Sequence, residues 1–133
     1  MRYELGVSIA RGDICWVHGG FPAGDWPDVN IFRHALKGKL LDGERVEADD
    51  GYIGEHPGHV RCPNGLFNWS EREALQSRVR ARHETVNERF KAWSIMREVF
   101  RHDVSLHEEA FFAVAVLTQL SIENGERLFS VRY

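Results

Sequence analysis

Cysteine is the first scarcity: 133 residues hold two, Cys15 and Cys62. Two thiols cannot build the disulfide framework of a small secreted fold, so a reducing, intracellular setting is expected. Long apolar runs are missing too, and no stretch approaches the roughly 20 residues that cross a bilayer. The opening Met1-Arg2-Tyr3-Glu4-Leu5 has neither the charged n-region nor the apolar h-region of a secretory signal. Neither sign of charge prevails: 17 Lys and Arg against 20 Asp and Glu leave a formal −3. Nucleic-acid binding would therefore need a local basic patch. No repeat, low-complexity tract or interdomain linker divides the chain. At 43% hydrophobic and 28% charged it can bury a core and stay soluble, which excludes a disordered tail or a collagen-like fibre. One soluble domain over 1–133 is expected.

Tyr3, Leu5, Val7 and Ile9 alternate with polar or small residues, predicting a strand over Tyr3 to Ala10. Arg11-Gly12-Asp13 is a turn and Ile14 to His18 a second strand, so the pair reads as a hairpin. Gly19 to Gly24 reads as a loop. Asp25 and Pro27 mark a helix start, with Val29, Phe32, Leu36 and Leu40 as its stripe and Asp42-Gly43 as its end. Arg45 to Ala48 and His59 to Cys62 are short strand candidates. Ser70-Glu71-Arg72-Glu73 is a capping box opening a long helix striped with Leu75, Val79, Val86, Phe90 and Trp93. A second box, Ser105-Leu106-His107-Glu108, opens a last helix. Its middle, Phe111 to Leu117, is apolar on every side and is expected to be buried, with Asn124-Gly125 closing it. This order predicts an α/β domain.

Two segments could carry chemistry. In Val46-Glu47-Ala48-Asp49-Asp50-Gly51-Tyr52, carboxylates at a strand exit are well placed for a hard cation such as Mg²⁺ or Mn²⁺. Asp-Asp-Gly is equally an ordinary turn. In Arg80 to Lys91, Glu84 lies opposite the apolar stripe within a locally basic stretch. Arginines that hold a DNA backbone around one metal-binding carboxylate suit phosphodiester cleavage. The same residues also make a solvated face with Arg80–Glu84–Glu88 spacing pairs. His56-x-x-His59-x-x-Cys62 has zinc-like spacing, with Cys15, His18 or Asp50 as a fourth ligand, but lacks paired CxxC knuckles. Cys15 in an apolar strand is expected to fill core. Trp16, Trp26, Trp69 and Trp93 suit either core packing or a base-stacking platform.

The motifs in combination resemble a family. Tyr3-Glu4-Leu5-Gly6-Val7, Gly20-Phe21-Pro22, Asp28-Val29-Asn30-Ile31-Phe32-Arg33 and Glu47-Ala48-Asp49-Asp50-Gly51-Tyr52 are similar to a DDE superfamily endonuclease, the catalytic domain of a PIF/Harbinger-type transposase. So are Ala81-Arg82-His83-Glu84-Thr85-Val86-Asn87-Glu88-Arg89-Phe90-Lys91 and the tail Ala113 to Leu120. The resemblance spans nearly the whole chain, with the motifs in order. It implies an RNase H-like mixed sheet flanked by helices, and metal-dependent cleavage and strand transfer of DNA in the nucleus with Mg²⁺ or Mn²⁺. It makes Asp49 and Glu84 metal-binding catalytic carboxylates, and Arg80, Arg82, Arg89 and Lys91 DNA contacts. Glu88 stands where many members have glycine.

The family's first catalytic Asp lies on the first, central strand, upstream of Arg2-Tyr3-Glu4-Leu5-Gly6, so a truncated domain with two of three carboxylates is expected. Such a chain would close the gap by rearranging, pair with a second copy or a partner chain, or be marginal. The alternative to an endonuclease is a non-catalytic, transposase-derived relic or binding module for DNA or a protein.

Overall fold

Alternating apolar residues at Tyr3, Leu5 and Val7 put one face of an extended segment against the core, and the chain forms β1 over Arg2–Val7. It pairs antiparallel with β2, Ile14–Phe21, in a register that sets Leu5 opposite Val17 and Tyr3 opposite Gly19. The computed structural model describes residues 1–63 and 71–132. The second strand thus runs three residues past the expected His18, through glycines first read as loop. Gly19 is needed there: at φ +144° a Cβ would stand 2.5 Å from both the Arg2 carbonyl oxygen and the Tyr3 Cα.

Helix α1 covers Asp28–His34 and begins after Pro27, with no side-chain cap. It stops short of Leu40 because the backbone leaves the helical region at Ala35 (φ −132°, ψ −66°) and tightens into a 3-10 turn over Leu36–Lys39. Leu36 and Leu40 nevertheless reach the same apolar cluster as Phe32. β3, Val46–Glu47, pairs in parallel with β4, Val60–Arg61, across a 3-10 turn over Asp50–Glu55. Helix α2 spans Glu71–Ala92, and the capping box from Ser70 falls partly outside the described residues. A short α3, Ser94–Arg97, follows. Trp93 is exposed between the two helices and does not extend the buried stripe.

The last helix, α4, covers His107–Glu123. No side chain caps α4 itself, and no Ser105 box forms; Asp103 instead caps the 3-10 turn Val104–Leu106 before it, its carboxylate accepting the Ser105 N–H at 2.9 Å. Its apolar middle is only half buried. Val114, Ala115, Thr118 and Ile122 are covered, whereas Val116 is 59% exposed and Phe112, Leu117 and Leu120 share the open side.

The fold is mixed α/β with two small sheets among the described residues, each of two strands. Two apolar clusters correspond to them. One joins the hairpin to the helices: Val86, Phe90, Val114 and Ala115 pack with Leu5, Val7, Val17 and Phe111. The other joins α1 to the parallel pair: Phe32, Val60 and Cys62 pack with Leu36, Val46 and Tyr52. Among the described residues no helix is long and apolar enough to cross a membrane.

Candidate functional site

Asp49 comes two residues after β3, just past Ala48, whose N–H donates to the Arg61 carbonyl, so the short parallel ladder fixes where its carboxylate emerges. It is exposed, and its Oδ1 accepts the Gly51 N–H at 2.9 Å, capping the 3-10 turn that follows. Asp50 is exposed beside it. Glu47, two residues earlier, is 3% exposed at its side chain and faces Arg61 at 3.6 Å. These carboxylates follow one another along the chain at one end of the parallel pair, Glu47 turned inward and Asp49 and Asp50 outward. Burial first, then the charges of Asp50, Asp49 and Glu47, push the Cys62 thiol up to about 11, and Arg80 opposes them. Arg80 therefore lies within electrostatic reach of this acidic end.

Tyr52 marks where the two sheets approach. Its ring meets Phe32 edge-on at 6.0 Å. Burial raises its phenol, and Glu4 from β1, Asp28 from α1 and Asp49 from the segment after β3 raise it further. Glu4 is buried and accepts the Trp16 indole N–H at 2.8 Å. Burial, partly offset by that bond, holds its carboxyl above the ordinary range. Glu4 and Tyr52 thus join the site's surroundings, although sequence reasoning assigned them no role. The alternation of β1 could have flagged Glu4: it is a carboxylate in a strand with an apolar neighbour on either side.

Glu84 projects from the exposed side of α2, and its Oε1 lies 3.4 Å from the Asn87 amide. Helix α2, which carries Glu84, packs against β3, the strand two residues before Asp49. Among the described residues, however, no three His, Cys, Asp or Glu side chains come together as a group that could hold a metal ion. The described residues therefore show no converged set around Asp49 and Glu84, whereas a two-metal centre needs several carboxylates on ions about 4 Å apart. The zinc-spaced trio is likewise dispersed in role. Cys62 is buried among Phe32 and Val60, and His59 sits 3.7 Å from Glu55. Cys15 is exposed, its Sγ 3.6 Å from the Gly6 carbonyl oxygen, and so does not fill core as expected.

The four cations expected on DNA have different fates. Arg82 is 2% exposed and turned inward, donating to the carbonyls of Ser8, Ile9 and Phe129. A phosphate at the surface cannot reach it; its work is structural. Its spacing, three residues after Val79 and four before Val86, already places it on the buried stripe. Arg89 donates to the Glu126 carbonyl at 2.6 Å and is half-buried. Arg80 is half-buried with its Nη1 unpartnered among the described residues, and Lys91 is exposed. The basic face is therefore thinner than the count of arginines implies.

Compared with known proteins, the chain matches no protein-family model, no curated protein and no solved structure.

Proposed function

We propose that the chain is a DDE-type transposase catalytic domain of PIF/Harbinger character, with an RNase H-like ancestry and Asp49 and Glu84 as two of its three carboxylates. One observation carries the reading: Asp49 stands at the exit of a short parallel strand, and Glu84 on the open side of the helix packed against that strand. The antiparallel hairpin followed by α1, a parallel pair and α2 supports the same element order. Its substrate is DNA, its ions are Mg²⁺ or Mn²⁺ and its place of work is the nucleus.

A second reading has its own observation. The described residues assemble no group able to hold a metal, which favours a transposase-derived module that binds DNA or a protein without cutting. Incubating supercoiled plasmid with the chain and Mn²⁺, beside Asp49→Asn and Glu84→Gln, separates the two. Nicking lost in both variants supports the endonuclease. Plasmid binding without nicking in all three proteins supports the binding module. A chain that neither nicks nor binds DNA sinks the transposase reading.

A further inference from the structure

Helix α4 carries apolar residues on two opposite sides, and the chain itself uses only one of them. Val114, Ala115, Thr118 and Ile122 are covered. Phe112, Ala113, Val116, Leu117 and Leu120 return at the same helical period on the far side, and all five are exposed. From 110 to 122 the chain has no charged residue, and Glu109 and Glu123 close the stripe seven residues to either side of Val116.

The face extends beyond the helix. Trp93, exposed just after α2, lines the same groove as Leu117. Thr118 lines it too, and its buried hydroxyl has no partner among the described residues, a bond left for an occupant to make. Phe112, Val116, Leu117, Leu120 and Trp93 together present on the order of 500 Å² of apolar surface at their observed exposures. Scattered apolar residues at a surface need no explanation, but a continuous stripe of this size marks an interaction site.

The chemistry of the face narrows its occupant. Helix α4 has no Lys or Arg, so it offers nothing to a DNA backbone and lacks the basic residues with which interfacial helices meet anionic lipid. With no charge inside the stripe, no ion pair selects a charged protein partner. Its complement is another uncharged helical stripe, which every other copy of the chain supplies. We infer that the chain pairs with a second copy of itself through this face, two α4 helices crossing antiparallel at Val116 about a two-fold axis.

Two-fold pairing sets residues at equal distances from the axis against each other. Phe112 and Leu120, each four residues from Val116, therefore meet across the interface, and the small side chain of Ala113 lets the helices approach. In the commonest crossing class the helices diverge away from the contact. Glu109 and Glu123, about 10 Å along the helix from Val116, are thereby kept apart from their counterparts. The area agrees as well: a standard interface takes about 800 Å² from each partner, about two thirds of it apolar in homodimers, which is close to what this face presents. Helix α4 carries neither Asp49 nor Glu84, so pairing stands apart from the endonuclease reading.

The test is sedimentation velocity of the whole chain from about 1 to about 200 μM. A monomer–dimer equilibrium in the micromolar range is expected, no weaker at high salt than at low because no ion pair carries it. Val116→Arg puts two like charges at the axis and is expected to weaken association at least about a hundred-fold. In dilute solution it melts with the parent, because water already reaches Val116. Leu41→Gln, at an exposed leucine outside the face, leaves association unchanged. Val116→Cys on a Cys15→Ser background is expected to yield covalent dimers with a short bis-maleimide, and Leu41→Cys on that background is not. A chain that stays monomeric throughout, a dimer that Val116→Arg leaves intact, or an association that salt dissolves overturns the inference.

Discussion

Arg82 on α2 donates to the carbonyl of Ser8, 74 residues earlier in the chain, at 2.8 Å. The same guanidinium serves the Ile9 carbonyl and, at 3.5 Å, that of Phe129. One buried cation thus ties the end of the hairpin's first strand to the long helix and to the C-terminal segment. Burial lowers its pKa, but three carbonyl dipoles pointing at one guanidinium compensate the lost hydration in part. Replacing it by methionine keeps the length and leaves those carbonyls without their donor. Arg82→Met is expected to cost about 3 kcal/mol in urea unfolding. A loss below about 0.5 kcal/mol would show that the carbonyls find other partners.

Much of this architecture is legible from residue order, and what is not has physical causes. The hairpin follows from Tyr3, Leu5 and Val7, and the α2 stripe from Val79, Val86 and Phe90, because period-2 and period-3.6 burial leave clear marks. Gly19 and Gly20 mislead, since the composition of a loop and of a close strand crossing is the same. Ala35 carries no breaker residue, so nothing local announces that α1 ends there. Asp49 and Glu84, the carboxylates that their motifs single out, are both exposed, but Arg82 shows why residue type is an unsafe guide to exposure. An arginine in an apolar stripe is buried when main-chain carbonyls are there to receive it.

Gly19 gives a sharp contrast with Gly24. A methyl group on Gly19 would collide with β1 backbone in a conformation that L side chains rarely adopt, whereas nothing lies within 4 Å of the Cβ position at Gly24. Gly19→Ala is expected to destabilise by more than about 2 kcal/mol, and Gly24→Ala to be neutral or to stabilise by about 0.5 kcal/mol by restricting the unfolded chain. Thermal melts of the two variants beside the parent check both. Equal melting temperatures would mean that the β1–β2 register is not the one described.

Tyr3 and His107 make the fold sensitive to acid. The Tyr3 hydroxyl lies 2.6 Å from His107 Nδ1, and its ring stacks on Phe111. Burial, then the Glu108 charge, push the Tyr3 phenol up to about 12, so it remains a donor to neutral histidine. Burial, then the positive N-terminus, lower the His107 pKa below its ordinary 6.5. A depressed histidine pKa means that the native state resists protonation more than the unfolded chain does. The stability it contributes is therefore complete above the ordinary value and is lost as pH falls through the folded one. The melting temperature is expected to fall as pH drops below the ordinary histidine value of 6.5, and His107→Gln to flatten that fall. Identical pH profiles for the two proteins would remove His107 from the account.

Helix α4 sets two apolar faces against each other in one stretch of sequence. Val114 is buried against Val86 and Phe90, while Val116 and Leu120, one face round, are 59% and 47% exposed. Both faces contribute equally to the hydrophobicity of the segment, so composition cannot tell them apart; only packing does. Val114→Ala removes methyl groups from a filled core and is expected to cost about 2 kcal/mol. Val116→Gln and Leu120→Gln transfer side chains that water already reaches, and each is expected to change stability by less than about 0.5 kcal/mol. Urea unfolding of the three variants at low and high protein concentration reads both faces. If Leu120→Gln costs as much as Val114→Ala at high concentration and little at low, the outer face is covered by a second copy of the chain, because only association would make its burial depend on concentration.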